Sequence, residues 1–451
     1  MKKIFAEETV LFVSLIKWFF LAALVGIIVG ISTSLFLKAL EWGIGAGIRQ
    51  PGYYLLLPLS LFFSSLLIKL LSPEAGGHGT EKVLEAIHRR SGKMKLSVVP
   101  VKLLATVITI ATGGSAGKEG PAAQIGSSLS SFFADLLRFN DRERKKLVIC
   151  GISAGFSSVF GTPIAGAIFG LEVLVAGIIV HEDLFPSFVA GVISFQVARF
   201  LGITYYYNHI PISLVFDHYL FLIVLGAGIF FGLCSLYFIE ILHFMKKLSE
   251  KIKIWEPFKG LIGGVLIVGL VYLFSTRYLG LGTETIEENL RGGSIVWYAF
   301  LLKGLFTAVT LSFGGSGGVI TPIFFIGTAA GAAFAQFFNL DISTFSAIGL
   351  VALLAGTTNA PIASSIMAVE LFGSNIAPYA ALACIISFLM TGHRSVYPSQ
   401  ILGIRKSMSL NVDIGMDMEK IKATVESRDR SVWGLILKTL DRFRRNGNNS
   451  H

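Results

Sequence analysis

Residues 102–126 read KLLATVITIATGGSAGKEGPAAQIG, and residues 303–327 read KGLFTAVTLSFGGSGGVITPIFFIG. Aligned without a gap, eleven of these twenty-five positions are identical, among them Lys102/Lys303, Thr106/Thr307, Thr109/Thr310, both GGS runs and Pro121/Pro322. A second pair, GTPIAGAIFGLEVL (161–174) and NAPIASSIMAVELF (359–372), lies at nearly the same spacing: 198 residues separate Pro163 from Pro361, and 201 separate Pro121 from Pro322. Two landmarks at one offset mark two homologous halves, 1–200 and 201–405, with a polar tail over 406–451. Halves whose apolar segments are interrupted by Gly and Pro at matching places point to a transporter-like, all-α multi-pass membrane protein. In such folds inverted-topology repeats bring broken, re-entrant helices together near the midplane, with their N-termini facing an anion. GGSAGKEGP is then expected to end one segment and to open a helix whose free N–H groups and positive dipole end point inward.

Composition agrees. Of 451 residues, 53% are hydrophobic, only 15% are charged and 49 are glycine, with mean hydropathy +0.71. A soluble domain carries about a quarter charged residues. Apolar runs such as 10–28 (VLFVSLIKWFFLAALVGII) and 261–274 (LIGGVLIVGLVYLF) recur along the chain. At about 20 apolar residues per span there is room for ten or more. The first run is long and has no small-residue cleavage site, so a retained first helix is expected.

The net charge of +10 sits between or beyond apolar segments: Lys2 and Lys3, Arg89 to Lys95, Lys246 to Lys259, Arg428 to Arg445. That is the pattern of cytoplasmic loops, not of a nucleic-acid binder. Both termini are therefore expected on the cytoplasmic side of the cell (inner) membrane, and the acidic stretch 284–288 (ETIEE) outside. Cys150, Cys234 and Cys384 are far apart among apolar neighbours, with neither disulfide nor metal spacing. No cofactor or metal is expected. GGSAGKE fails as a phosphate-binding loop, because Thr112 replaces the first glycine and Glu119 follows the lysine where Ser or Thr is required. No HExxH or paired-His spacing supports an enzyme.

Ionisable residues among apolar spans are costly and therefore functional candidates. Glu119 leads: a carboxylate in the first turn of the opened helix can itself act as the anion in the site and be released by protonation. Glu172 and Glu370 occupy equivalent places in PIAxxIxxxE, which suggests a shared task such as bonding to a neighbouring helix end. Lys102 and Lys303 are expected to pair with a carboxylate or to snorkel. His78, in the Gly-rich break AGGHGTE (75–81), is a weaker candidate. If its ring faces an anion, protonation is expected to strengthen binding.

These residues resemble the CLC family of chloride channels and proton/anion exchangers. The resemblance is carried by PEAGGHG (73–79), GKEGP (117–121), FGTPIAGAIFGLE (160–172), GGVITP (317–322), NAPIASSIMAVELF and VYPSQIL (396–402), in the family's order. It implies the inverted-repeat fold, a homodimer in the lipid bilayer, and transport of chloride or a similar small anion, with protons as the exchanged partner. It implies Glu119 as gate and proton acceptor. His78, Gly79, Glu119, Ile320, Thr321 and Tyr397 would be the anion-binding residues, and Glu172 a supporting or proton-path residue. Three departures leave the subfamily open. The family's G-S-G-I-P is Gly77-His78-Gly79-Thr80-Glu81. The intracellular-side glutamate common in exchangers is Val173. G-x-F-x-P is GVITP, whose Thr321 is similar to the fluoride-exporting branch although that branch's acidic residue and methionine are Val319 and His78. A passive channel and a fluoride transporter stay as alternatives. No paired regulatory domains are expected after the membrane body, and the tail holds one amphipathic candidate, 431–445 (SVWGLILKTLDRFRR).

Overall fold

The computed structural model describes residues 2–205, 218–421 and 423–425; the amphipathic candidate 431–445 lies outside them. Sixteen α-helices account for most of the described residues. Helix α1 runs Lys2–Ile48, α2 Leu57–Leu71, α3 Thr80–Arg89, α4 Val98–Ala111, α5 Glu119–Leu136, α6 Asp141–Phe160, α7 Pro163–Glu172 and α8 Leu184–Phe200. The series continues with α9 His218–Lys251, α10 Glu256–Leu273, α11 Thr283–Leu290, α12 Ala299–Ser312, α13 Ile320–Phe338, α14 Ile342–Thr358, α15 Pro361–Phe372 and α16 Ala377–Met390. The helical fold expected from the sequence is the one observed.

Local chemistry sets the helix ends. Pro163 opens α7 and Pro361 opens α15, where proline's missing N–H costs nothing and its fixed φ suits the first turn. The Asn140 side chain accepts the Glu143 N–H at 3.0 Å to cap α6, and Asp341 accepts the Thr344 N–H at 2.7 Å to cap α14, each satisfying one orphan donor. Helices α13 and α14 both end on an asparagine, Asn339 and Asn359, in the left-handed region, a conformation asparagine tolerates.

The expectation of ten or more full spans needs correction. Among the described residues, five segments are long and apolar enough to cross a membrane: Glu7–Ile48, Tyr53–Leu71, His218–Lys251, Glu256–Leu273 and Ile320–Phe338. Other apolar helices, such as Val98–Ala111 and Pro163–Glu172, have only 10–17 residues. They stop short because Gly/Pro breaks interrupt them, and their ends meet other protein segments, the one place where irregular backbone is tolerated at membrane depth. Helices α5, α6, α13 and α14 form the interior, with nearly every residue of the α14 stretch 344–358 buried.

The chain after residue 400 is not a free polar tail from its start. Strand β1 (Val175–Ala176) pairs in parallel with β2 (Ile401–Leu402). Ala176, Leu402, Val412 and Met418 form a small apolar cluster. Strand β3 (Leu410–Asn411) pairs with β4 (Thr424–Val425), and Asp417 meets Arg89 at the end of α3, 2.6 Å away. Lys406 reaches inward, donating to the Asn359 Oδ1 and the Phe388 carbonyl, both at 2.6 Å.

Candidate functional site

The two GGS loops cross at the centre of the molecule. Gly117 and Gly318 exchange backbone hydrogen bonds at 2.7 and 2.6 Å. The Ser115 N–H donates to Thr310 Oγ1 (3.1 Å) and its hydroxyl meets Thr307 (2.9 Å). Reciprocally, the Ser316 N–H donates to Thr109 Oγ1 (3.0 Å) and its hydroxyl meets Thr106 (3.1 Å). Every partner in one set is the repeat equivalent of a partner in the other, so the loops are related by a local two-fold exchange. The crossing brings the N-termini of α5 and α13 face to face.

Glu119, the first residue of α5, is 2% exposed. Its carboxylate accepts the Thr321 hydroxyl at 2.6 and 2.8 Å and the Thr321 N–H at 3.1 Å. Thr321 and Ile320 form the first turn of α13, where N–H groups lack intrahelical partners and the dipole is positive. The side chain from one half therefore rests on the helix terminus of the other. A carboxylate and a small anion would satisfy the same donors, and one excludes the other.

The loop before α3 closes on this centre. At Gly79 φ is +79° and ψ is −74°, and the Thr80 N–H donates back to the His78 carbonyl at 3.0 Å. That is a γ-turn of the strained hand, and it suits glycine. A Cβ on Gly79 would collide with the Gly120 carbonyl, so the missing side chain lets this loop touch the start of α5. Tyr397 is 1% exposed and has Thr80 and Glu119 among its neighbours. Neither the Tyr397 nor the Thr80 hydroxyl, nor Nδ1 of His78, makes a well-formed hydrogen bond to a described residue. Buried polar atoms without partners are uncommon and call for an explanation. Here hydroxyl donors lie beside a γ-turn and two helix N-termini, an arrangement suited to a small anion.

Below this group opens a cavity of about 690 Å³, lined by Gly77, His78 and Glu81 on one side and by Lys82, Lys246 and Lys259 on others. His78's charged neighbours, Lys102, Lys246 and His243, are all basic. The loop that carries His78 is thus set among basic groups.

The lysines correct the sequence expectation. Lys102 and Lys303 are fully buried, so neither snorkels, and among the described residues neither meets a carboxylate. Lys102 Nζ donates to the carbonyls of Ala75 (3.1 Å) and Gly77 (2.8 Å), and Lys303 Nζ to those of Tyr278 (3.1 Å) and Gly280 (2.8 Å). Each clamps the loop that precedes its own half's broken segment, Lys102 holding the turn that carries His78 and Gly79.

Glu172 and Glu370 do bond to neighbouring helix ends, and they do so reciprocally. Glu172 accepts the N–H groups of Ile362 (3.0 Å) and Ala363 (2.7 Å) at the start of α15. Glu370 accepts those of Ile164 (3.0 Å) and Ala165 (2.8 Å) at the start of α7. Both oxygens of each group accept a backbone N–H at the start of the opposing helix. Val173 is buried, and its carbonyl accepts Nε2 of Gln400 at 2.9 Å. Thr80 and Glu81 escaped the sequence reading. The signal was the departure itself: both replace apolar residues of the G-S-G-I-P pattern. Among the described residues no group of three His, Cys, Asp or Glu side chains is placed to hold a metal ion.

Comparison with known proteins now has a geometry to attach to. Residues 60–392 match the family model described as "Voltage gated chloride channel". The chain is 36% identical over 397 residues to a chloride/fluoride channel protein of Pseudomonas syringae pv. tomato, covering 86% of this chain and 87% of that protein. It is 27% identical over 384 residues to an H(+)/Cl(-) exchange transporter, ClcA, of Salmonella schwarzengrund, covering 78% and 80%. Among solved structures it is similar to a CLC-type fluoride/proton antiporter, with TM-score 0.81, 29% identity, and coverage of 86% of this chain and 98% of that one. A slow cyanobacterial Cl-/H+ antiporter shares the fold at TM-score 0.74 and 19% identity, over 84% and 96%. With most of its membrane body matched, and a glutamate resting on the opposing helix N-terminus, the chain belongs to the voltage-gated chloride channel (CLC) family.

Proposed function

We propose that the protein exchanges a small anion, chloride or a similar halide, for protons across the cell membrane, and that Glu119 is both gate and proton acceptor. The observation that carries this reading is the Glu119 carboxylate on the N-terminus of α13, bonded to the Thr321 N–H and hydroxyl. Ionised, it holds the donors an anion needs. Protonated, it loses charge assistance and yields them. Anion occupancy and proton uptake are then two sides of one competition. Gly79, Ile320, Thr321, Tyr397 and the His78 loop would surround the anion, with Glu172 supporting the framework through its cap on α15. The basic cavity faces the cytoplasm by the positive-inside pattern, both termini lie on that side, and the working unit is a homodimer.

Fluoride as the cargo is a second reading with its own support. Two similar proteins carry fluoride in their names, and Thr321 offers a compact hydroxyl donor where a small, strongly hydrated ion needs one. Purified protein in liposomes, loaded with chloride or fluoride and followed by ion-selective and pH electrodes, tests both. Exchange predicts proton movement opposite to the anion, with the faster anion naming the cargo. Anion flux without proton movement would make the protein a channel, and flux of neither ion would remove the reading.

A further inference from the structure

We propose that Glu81 is the carboxylate that passes protons between the basic cavity and the Tyr397–Glu119 centre; this rests on the exchange reading above.

Glu81 follows Thr80 in the first turn of α3 and lines the cavity beside Gly77, His78 and Lys82. Its carboxylate accepts the Ser399 N–H, at 3.2 Å to Oε1 and 3.5 Å to Oε2, and its carbonyl accepts the Ser399 hydroxyl at 3.2 Å. One side of the residue thus meets the cavity, and the other is tied into the turn that carries Tyr397. Tyr397 in turn has both Glu119 and Glu81 among its charged neighbours. Its hydroxyl and that of Thr80, both without well-formed partners, are groups that can accept one proton while donating another.

The other titratable groups here suit the task less well. Glu250 and Glu256 also line the cavity, but they sit on α9 and at the start of α10, and Glu256 is paired with Lys69 at 3.2 Å. A cation on His78 would face Lys102, Lys246 and His243. Glu81 has the opposite surroundings: Lys82 on its own helix and Lys246 from α9 are its charged neighbours, and Lys82 is itself engaged with Glu85 at 2.8 Å. Burial pushes the Glu81 carboxyl up to about 7, and the Ser399 bonds, together with Lys82 and Lys246, partly oppose that rise, so the group can take up a proton and release it again. In the transfer, a proton leaves cavity water for the Glu81 carboxylate, then moves by way of the hydroxyls to Glu119, leaving Glu81 ionised again.

The test is Glu81→Gln, with Glu81→Asp as second variant, in liposomes with a chloride gradient, recording chloride efflux and proton uptake on the same vesicles. Glutamine keeps an acceptor oxygen for the Ser399 N–H and removes the charge and the titration. The expected result is proton uptake lowered by about 100-fold or more, the scale of a positioned proton carrier, with chloride efflux retained in Glu81→Gln and coupling retained in Glu81→Asp. Proton uptake per chloride equal to wild type in Glu81→Gln would overturn the proposal and leave the exchange reading standing. Loss of both fluxes together in the two variants would assign Glu81 a structural role and also overturn it. A wild type that moves no protons with either a chloride or a fluoride gradient would overturn both.

Discussion

Replacing Glu119 by glutamine separates the two properties of the gate, its shape and its charge. In the wild type the carboxylate holds three contacts to Thr321, at 2.6, 2.8 and 3.1 Å. Hydrogen bonds to a charged group contribute about 1.5–3 kcal/mol each and neutral ones about 0.5–1.5 kcal/mol. Glutamine keeps one acceptor oxygen but no charge, so its hold on the α13 N-terminus is weaker by ~1–3 kcal/mol. That energy is the handicap an incoming anion no longer has to overcome, equivalent to roughly 5- to 150-fold in apparent affinity. Calorimetric titration of detergent-solubilised dimer with chloride and with fluoride, near neutral pH, should show Glu119→Gln binding the transported anion tighter by that factor. In the wild type, affinity should rise as pH falls and Glu119 takes up a proton; in the variant it should stay flat. A folded variant that binds the anion no tighter than wild type at neutral pH would refute the competition argument.

Three further outcomes follow from other contacts. Glu172→Gln should lower stability by about 1.5–3 kcal/mol, because a buried two-pronged cap loses its charge and one acceptor. Glu370→Gln, at a half-buried position, should cost only ~0.5–1.5 kcal/mol; thermal unfolding in detergent ranks the two, and neither should change the ratio of protons to anions. Gly79→Ala should cost upwards of ~1–2 kcal/mol in backbone strain, with the collision at Gly120 in addition. It should depress anion flux far more than it depresses dimer recovery on size exclusion. Thr80→Val, nearly isosteric, should weaken anion binding by roughly 10- to 150-fold if its hydroxyl donates to the anion, read by the same calorimetry.

Much of this arrangement was legible in the sequence because the repeat exposes it. Thr106/Thr307, Thr109/Thr310 and the paired GGS runs are the groups that bond across the crossing loops, and Glu119 stands where the pattern placed it. Glu172 and Glu370 were readable as helix-end partners from their equivalence alone. Lys102 and Lys303 were misread because their partners are backbone carbonyls about 25 residues earlier in the chain, and carbonyls leave no mark in residue type. Span counting failed where helices end inside the protein, since hydropathy senses apolarity but not depth. The clip over 401–425 looked polar because its apolar residues, Leu402, Val412 and Met418, are scattered singly and meet Ala176 only in three dimensions. Thr80 and Glu81 are not legible as site residues, because they stand where the G-S-G-I-P pattern has its Ile and Pro.

The central claim is that one carboxylate, Glu119, couples proton uptake to anion movement by competing for a helix terminus. The direct measurement is simultaneous recording of proton uptake and anion efflux from the same proteoliposomes, for wild type and for Glu119→Gln shown to be folded and dimeric. The account predicts proton uptake driven by the anion gradient in the wild type. In the variant it predicts none, while anion efflux persists and loses most of its pH dependence. Proton uptake that survives in Glu119→Gln would contradict it.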